Sequence, residues 1–367
     1  PPSPGAGGSG TVVSFPALWR ETVTVEGGGA APVTPSVSDL CYYDGKVLLA
    51  AGGYLLAKDL DTGDLNQDGV WEIVVGAGSN LYCLDAAGRQ MWVTPCPKDK
   101  YFPEIEPQQG PFRVVRCADI NGDGFGEVIA GSGNWFTYGV SHEGKVLWGT
   151  LNWAHQPTSI ATVDLDGKGK LAALVGNTYC SANLFSPEGK VIGDVPVGYH
   201  GAAMAVAAGD MDGDGKAELI AGSRIGGIHC KTFGAEAVNW SLDAGAEITA
   251  TILTDLNGDG RTELLVASRN SYVVALDAHG KALWRYNCGN PVRALAVMPG
   301  REPAVAAATD AGAVIVLDAK GERRGFFPVP ADVTKIVAAD LDGDGQPEIV
   351  AGSADSRLVA LRSLPVK

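Results

Sequence analysis

Asp64-Leu65-Asn66-Gln67-Asp68-Gly69-Val70-Trp71-Glu72 decides how this chain is read. The same nine-residue pattern, D-x-[DN]-x-D-G-x-x-E, begins again at Asp119, Asp210, Asp255 and Asp340. A degraded copy begins at Asp164, with Lys168 and Ala172 in place of two acids. Counting it, successive copies start 45 to 55 residues apart, except for one interval of 85 between Asp255 and Asp340. That interval has room for a further unit, in which VRALAV and PAVAAATDAGAVIVLD keep the strand pattern while the acidic loop shrinks to Pro-Gly-Arg-Glu-Pro. Seven units result, and a repeat of this period is the signature of a modular architecture.

Each unit carries four short strand patterns. An apolar small-residue strand enters the acidic loop and a second leaves it, as in EIVVGAG (72–78) and EVIAGSG (127–133). A third ends in a turn such as LYCLDAAGRQ, and a fourth carries tryptophan, as in KVLW (145–148) and KALW (281–284). Four strands per unit and seven units describe an all-β, seven-bladed β-propeller. The last unit stops at LVALRSLPVK without a fourth strand, and PALWRETV (16–23) is expected to supply it and close the ring. Residues 1–15 read as a Pro/Gly/Ser linker, with any targeting peptide expected to have been removed or to lie upstream, and 16–367 as the propeller. Segment 30–58 fits no unit and is left between a cap on one face and an extension of the first blade.

The acidic loop has the logic of a calcium loop. Oxygen side chains at positions 1, 3, 5 and 9 converge on one hard cation, and glycine at position 6 makes the tight turn. The expected ligands are Asp64, Asn66, Asp68 and Glu72; Asp119, Asn121, Asp123 and Glu127; Asp210, Asp212, Asp214 and Glu218; Asp255, Asn257, Asp259 and Glu263; and Asp340, Asp342, Asp344 and Glu348. Five Ca²⁺ ions follow, all structural, because each ligand set comes from one short loop. In the degraded copy the Lys168 ammonium is expected to stand in for the ion beside Asp164 and Asp166.

The acidic loop followed by E-(I/V)-(V/I)-(A/V)-G-S resembles the FG-GAP or VCBS repeats of integrin-α-like calcium propellers, over roughly residues 16 to 365. The G-K-x-L-W strand is also similar to quinoprotein-type blades, although no residues that would hold that cofactor can be placed. The resemblance implies a propeller fold and calcium. Similar propellers include lectins, adhesion domains and lyases of uronate-rich polysaccharides, so it implies glycan or protein ligands without choosing among them.

Charge narrows the classes further. There are 42 acidic and 28 basic residues, for a net charge of −14, which argues against nucleic acid or an anionic membrane as partner. Seventeen of those acids lie in the five intact loops, so bound calcium would cancel much of the excess. No apolar run is long enough to span a bilayer. The seven cysteines show no zinc spacing, and their pairing is open. P-loop, G-x-S-x-G and H-E-x-x-H motifs are absent from the chain. A secreted or cell-surface monomer, with a periplasmic setting also open, fits these features.

Because the acidic loops join first to second strands, the second-to-third turns and the blade-to-blade connections lie on the opposite face. The unusual residues collect there, over blades one to four. Tyr101, Arg116, Trp135, Tyr138, Trp153, Tyr179 and Arg224 are the expected substrate-binding residues, since aromatic rings stack on sugar faces while polar groups fix hydroxyls. The expected function is carbohydrate binding. The alternative is a β-eliminating polysaccharide lyase using His155, His200 and Tyr199 as base and acid and Arg113 against the uronate carboxylate. A protein-binding adhesion or scaffold role is the third reading. Trp92, Trp148, Trp240 and Trp284, on fourth strands, are expected to pack rather than bind.

Overall fold

Glu127–Ser132, the second strand of its unit, is buried at every position, and so are Glu218–Ser223 and Glu263–Ser268. A continuous small-residue apolar run of this kind suits a strand covered on both faces. The fourth strands, such as Val146–Leu151 and Ala282–Asn287, are largely exposed. Burial thus falls from the middle of each sheet to its outer edge, as expected when sheets stand side by side around an axis.

The computed structural model describes residues 36–43, 46–52, 57–85, 89–98, 110–153, 155–298, 300, 303–329, 332–339, 347–353 and 358–361. These residues are all-β, and the chain is a β-propeller. Blade one comprises Ala57–Gly63, Glu72–Ala77, Asn80–Leu84 and Gln90–Pro95; blade two comprises Phe112–Ala118, Glu127–Ser132, Phe136–Val140 and Val146–Leu151. Blade three comprises Pro157–Asp164, Leu171–Asn177, Ser181–Phe185 and Val191–Pro196, and blade four Ala203–Gly209, Glu218–Ser223, Gly227–Thr232 and Trp240–Asp243. Blade five runs from Ile248–Thr254 to Ala282–Asn287, blade six from Val292–Met298 to Arg323–Pro328, and blade seven holds Val333–Ala339, Glu348–Ser353 and Leu358–Leu361.

All seven expected sheets are antiparallel, in chain order, and each has a register shift near the start of its first strand, as between Phe112 and Val114 or Ala203 and Ala205. Such a bulge adds twist where the innermost strand must tilt against its neighbours. The cores lie between blades: Phe112, Val115 and Tyr138 pack with Val74 and Leu81, and Leu174 and Val195 pack with Val206 and Leu219.

The unassigned segment 30–58 takes a definite place. Ser36–Tyr43 pairs with Lys46–Gly52 as a two-stranded antiparallel sheet. Ser36–Tyr43 lies beside the first strands of both blade seven and blade one, and completes the circle of innermost strands. The hairpin is therefore neither a cap nor a fifth strand of blade one but a small sheet of its own in the ring; Ala57 and Lys58 already belong to blade one. The expected closing strand at 16–23 lies outside the described residues. Of the described cysteines, Cys83, Cys180, Cys230 and Cys288 are free thiols.

Candidate functional site

The acidic loops close in one repeated way. The first Asp accepts the position-6 glycine N–H, at 3.0 Å for Asp64–Gly69, 2.8 Å for Asp119–Gly124, and 2.9 Å for Asp210–Gly215 and Asp255–Gly260. The terminal Glu turns inward and accepts the N–H of the second loop residue, at 2.8 Å for Leu65–Glu72, 3.1 Å for Ile120–Glu127, and 2.9 Å for Met211–Glu218 and Leu256–Glu263. Each of these glutamates is buried. Burial, assisted by nearby aspartates, raises the carboxyl of Glu72, Glu218 and Glu263 above the ordinary range and pushes Glu127 to about 7. A buried carboxylate beside two others is a site of uncompensated negative charge, and a hard cation is the natural counter-charge.

Blade four shows the donor set most directly. Carboxylate oxygens of Asp210, Asp212 and Glu218 all lie within 4.8 Å of one another. Where position 3 is asparagine, its amide donates to the Glu, as Asn66 to Glu72 at 3.0 Å, Asn121 to Glu127 at 2.8 Å and Asn257 to Glu263 at 2.9 Å. The degraded loop keeps its turn, with Gly169 N–H on Asp164 at 2.7 Å, and Lys168 Nζ sits 2.7 Å from Asp166. Asp340, Asp342 and Asp344 lie outside the described residues, while Glu348 of the same loop is buried.

On the opposite face, three separate connections bring four rings together. His155, from the blade two-to-three connection, stacks on Tyr179 with centroids 4.3 Å apart and an interplanar angle of 28°. Tyr199 and His200, from the blade three-to-four connection, meet Tyr179 edge-on at 5.1 and 5.2 Å and each other at 4.4 Å. Backbone bonds tie the loops: Thr178 N–H to Gln156 O at 3.0 Å, Ala202 N–H to Tyr179 O at 2.7 Å, and Arg224 N–H to Gly201 O at 2.9 Å. Tyr199 is 76% exposed, and Trp153, two residues before His155, is 61% exposed. The cluster is an open platform, not an enclosed pocket.

Titration states follow from packing. Loss of water around the His155 ring lowers its pKa below the ordinary 6.5, so the imidazole is neutral near pH 7. A hydrogen bond with Tyr199, then partial desolvation, raises the Tyr179 phenol to about 12. A neutral imidazole thus lies against a firmly protonated phenol.

Backbone strain collects on the same face. Left-handed φ values occur at Trp135 (76°), Trp153 (53°), His200 (63°) and Ala202 (47°), conformations that cost side-chain-bearing residues about 1–2 kcal/mol each. The equivalent turn position to Trp135 is Gly226 in blade four and Gly312 in blade six. In blade five the same position is Ser271, also left-handed at φ 74°, so Trp135 places a bulky ring where these sibling blades hold glycine or serine.

Other expected site residues stand elsewhere. Tyr138 is 4% exposed, with its hydroxyl 2.9 Å from Asn134 Nδ2 and its ring against Phe112, so it belongs to the core between blades one and two and cannot meet a substrate. Arg116 is not on the ring-bearing face. Its strand begins at Phe112, which carries Arg116 toward the acidic-loop end of the channel, where it pairs with Asp61 at 3.5 Å. It lines a cavity of about 300 Å³ with Ile160, Thr162, Val206 and Ile252, away from the ring cluster. Arg113 is exposed near the start of the same strand, and Arg224 lies exposed with its guanidinium 3.6 Å from Met204 Sδ. Tyr101 lies outside the described residues. The fourth-strand tryptophans pack as expected.

The buried amide links under the cluster, and Asn183 among their residues, escaped sequence reading. Asn177 Oδ1 accepts the Tyr179 and Cys180 N–H groups at 2.9 and 3.1 Å, and Asn183 Nδ2 donates to Asn152 Oδ1 at 2.5 Å. The available signal was the repeat itself, since the Asn183 position is Tyr138, Val274 or Ile315 in sibling blades.

Residues 237–325 match the model of the lambda-carrageenase beta-propeller domain, a stretch running from the end of blade four through most of blade six. No curated protein matches significantly. Among solved structures, the computationally designed Ika8 protein is similar with a TM-score of 0.66 and 13% identity, covering 90% of this chain and 96% of that one. BBS1N, solved in complex with ARL6DN, follows at 0.62 and 12%, covering 92% and 99%. BamB from Moraxella catarrhalis is similar at 0.57 and 16%, covering 84% and 85%. At these identities the likeness shows the fold alone.

Proposed function

We propose that this propeller is a calcium-stabilised, extracellular carbohydrate-binding domain that grips a polysaccharide on the face opposite its acidic loops. The observation that carries the reading is the convergence of His155, Tyr179, Tyr199 and His200 into one exposed cluster beside Trp153. Open aromatic surface with hydroxyl and imidazole groups suits a chain of sugars, whose apolar ring faces stack while hydroxyls find hydrogen bonds. The match of residues 237–325 to a carrageenase propeller domain supports a polysaccharide context. Ca²⁺ in the acidic loops would supply fixed positive charge that neutralises the clustered carboxylates.

Affinity electrophoresis through gels containing lambda-carrageenan, ulvan or neutral dextran tests the binding. Retardation by an acidic polysaccharide, lost in a Trp153→Ala, Tyr199→Ala variant, is the expected result. Unretarded migration in every gel would overturn it.

A second reading, β-elimination on a uronic-acid polysaccharide, is favoured by one observation, the stacking of the His155 imidazole on the Tyr179 phenol ring. His155 would take the C5 proton and a phenol would protonate the leaving oxygen. Unsaturated-uronate absorbance that rises with wild-type protein and is lost in His155→Ala would support it; binding without absorbance would leave the first reading alone.

A further inference from the structure

Beneath the ring cluster lies a buried side-chain network. Asn152 Nδ2 donates to Gly176 O at 3.3 Å, Asn183 Nδ2 to Asn152 Oδ1 at 2.5 Å, Ser181 Oγ to Asn183 Oδ1 at 3.4 Å, and Asn177 Nδ2 to Ser181 Oγ at 3.5 Å. Asn152, Asn177 and Asn183 are completely buried. Burying amides is costly unless they are hydrogen-bonded, and an apolar core of the same shape does without them.

The repeat shows that the fold itself does not need these amides. The position of Asn152, at the end of a fourth strand, is Cys96, Val197, Ala244, Cys288 and Val329 in other blades. The position of Asn183 is Val274 in blade five, partly buried against the core, and Ile315 in blade six, fully in the core. Only at the junction of blades two and three are both amides, and this junction carries the rings; between blades one and two the same positions are Cys96 and Tyr138, which join a different polar network with Ser132 and Asn134. The network reaches the Tyr179 turn through a side chain and the His155 turn through the backbone of Asn152, whose side chain it holds. Asn152 O accepts the His155 N–H at 3.1 Å, fixing the turn that presents Trp153 and His155. Asn177 Oδ1 accepts the Tyr179 N–H at 2.9 Å, fixing the opposing turn. The Asn183–Asn152 bond links the two anchors across the blade boundary.

We propose that Asn183 and Asn152 are positioning residues, a buried amide lock that sets the His155 turn against the Tyr179 turn. The role of this lock in ligand binding rests on the function proposed above; the positioning itself does not. An amide pair, unlike an aliphatic one, specifies orientation as well as volume, because only one arrangement satisfies both groups. Stacking of two rings from different blades depends on such a fixed offset.

The test is the double variant Asn152→Val, Asn183→Val, which installs side chains that sibling blades already hold and leaves neither amide orphaned. Two readouts are followed: the ring-current shift of the His155 ring protons, assigned with His155→Gln, and retardation by whichever glycan retards the wild type. The expected result is a cooperative melting curve within a few degrees of wild type, loss of the His155 ring-current shift, and at least tenfold weaker glycan binding. An unchanged His155 shift would overturn the proposal. Loss of the folded state would also overturn it, since the amides would then be required by the fold. If no glycan retards even the wild type, the functional reading fails while the ring-current result still decides the lock.

Discussion

The Trp148 indole N–H donates to the carbonyl of Pro187 at 2.9 Å, from the outer edge of blade two to the third-to-fourth-strand turn of blade three. The bond repeats at Trp92 to His142, Trp240 to Ala278 and Trp284 to Ala319, at 2.8 to 2.9 Å. Each indole also lies over the glycine of that turn, which gives these tryptophans an inter-blade staple as their task and removes them from ligand binding.

Gly189 is where the staple should be most sensitive. Its φ is +76°, and an added Cβ would lie 2.3 Å from the Trp148 ring. Gly189→Ala should therefore combine a left-handed backbone cost with overpacking, about 2–4 kcal/mol in all. Gly234→Ala, at φ +83° with open space around it, should show only the backbone part. Urea denaturation of the two variants checks this, and equal losses would show that the ring contact contributes nothing.

His155 supplies a pH prediction. Its folded pKa is depressed because water is excluded from the imidazolium form. The sign follows: the unfolded chain binds the proton more readily, so this stabilisation is complete above about pH 6.5 and is lost as pH falls through the lower folded value. Proton NMR should give a His155 midpoint in the folded protein below that in the urea-unfolded chain. Tyr179→Ala should raise it toward the ordinary value by reopening the ring to solvent.

The fold was legible because its information is periodic. Asp64 to Glu72 repeats at blade spacing, and a strand-loop-strand unit copied around a ring admits few architectures. The hairpin Ser36–Gly52 carries no acidic loop, so it had no repeat signal to announce its place in the circle. All four ring residues could be nominated because they sit on connections and turns where sibling blades are plain. Tyr138 misled for a physical reason: a tyrosine near a turn looks like surface, but Asn134 Nδ2 and Cys96 Sγ reach its hydroxyl and make it acceptable in the core. Arg116 misled because its strand already begins at Phe112 and carries the side chain down the channel.

Calcium removal makes a blade-specific prediction. The loops of blades one, two, four and five hold clustered carboxylates with a buried Glu, whereas blade three has Lys168 on Asp166. A strong chelator should lower the melting temperature by ten degrees or more, as several like charges lose their counter-charge together. Hydrogen exchange should rise at Met211 and Leu256, whose N–H groups rest on the loop glutamates, and least at the blade three loop. An unchanged melting curve with chelator would remove calcium from the account.

Tyr199→Phe isolates the phenol pair. The hydrogen bond with Tyr199 is the leading reason that Tyr179 titrates at about 12, ahead of desolvation. Because the folded value is raised, the neutral phenol's contribution is complete below the unfolded pKa near 10 and fades as pH rises through the folded value. Removing the Tyr199 hydroxyl while keeping its ring should bring Tyr179 down toward 10, seen as an earlier alkaline rise in phenolate absorbance after subtracting a Tyr179→Phe control. The ring face offered to a sugar is preserved, so a binding platform should lose less than threefold in affinity. An acid–base pair depends on Tyr179 holding its proton, and turnover on a uronate polymer should then fall much further than binding, which makes this single hydroxyl the means of separating the two functions.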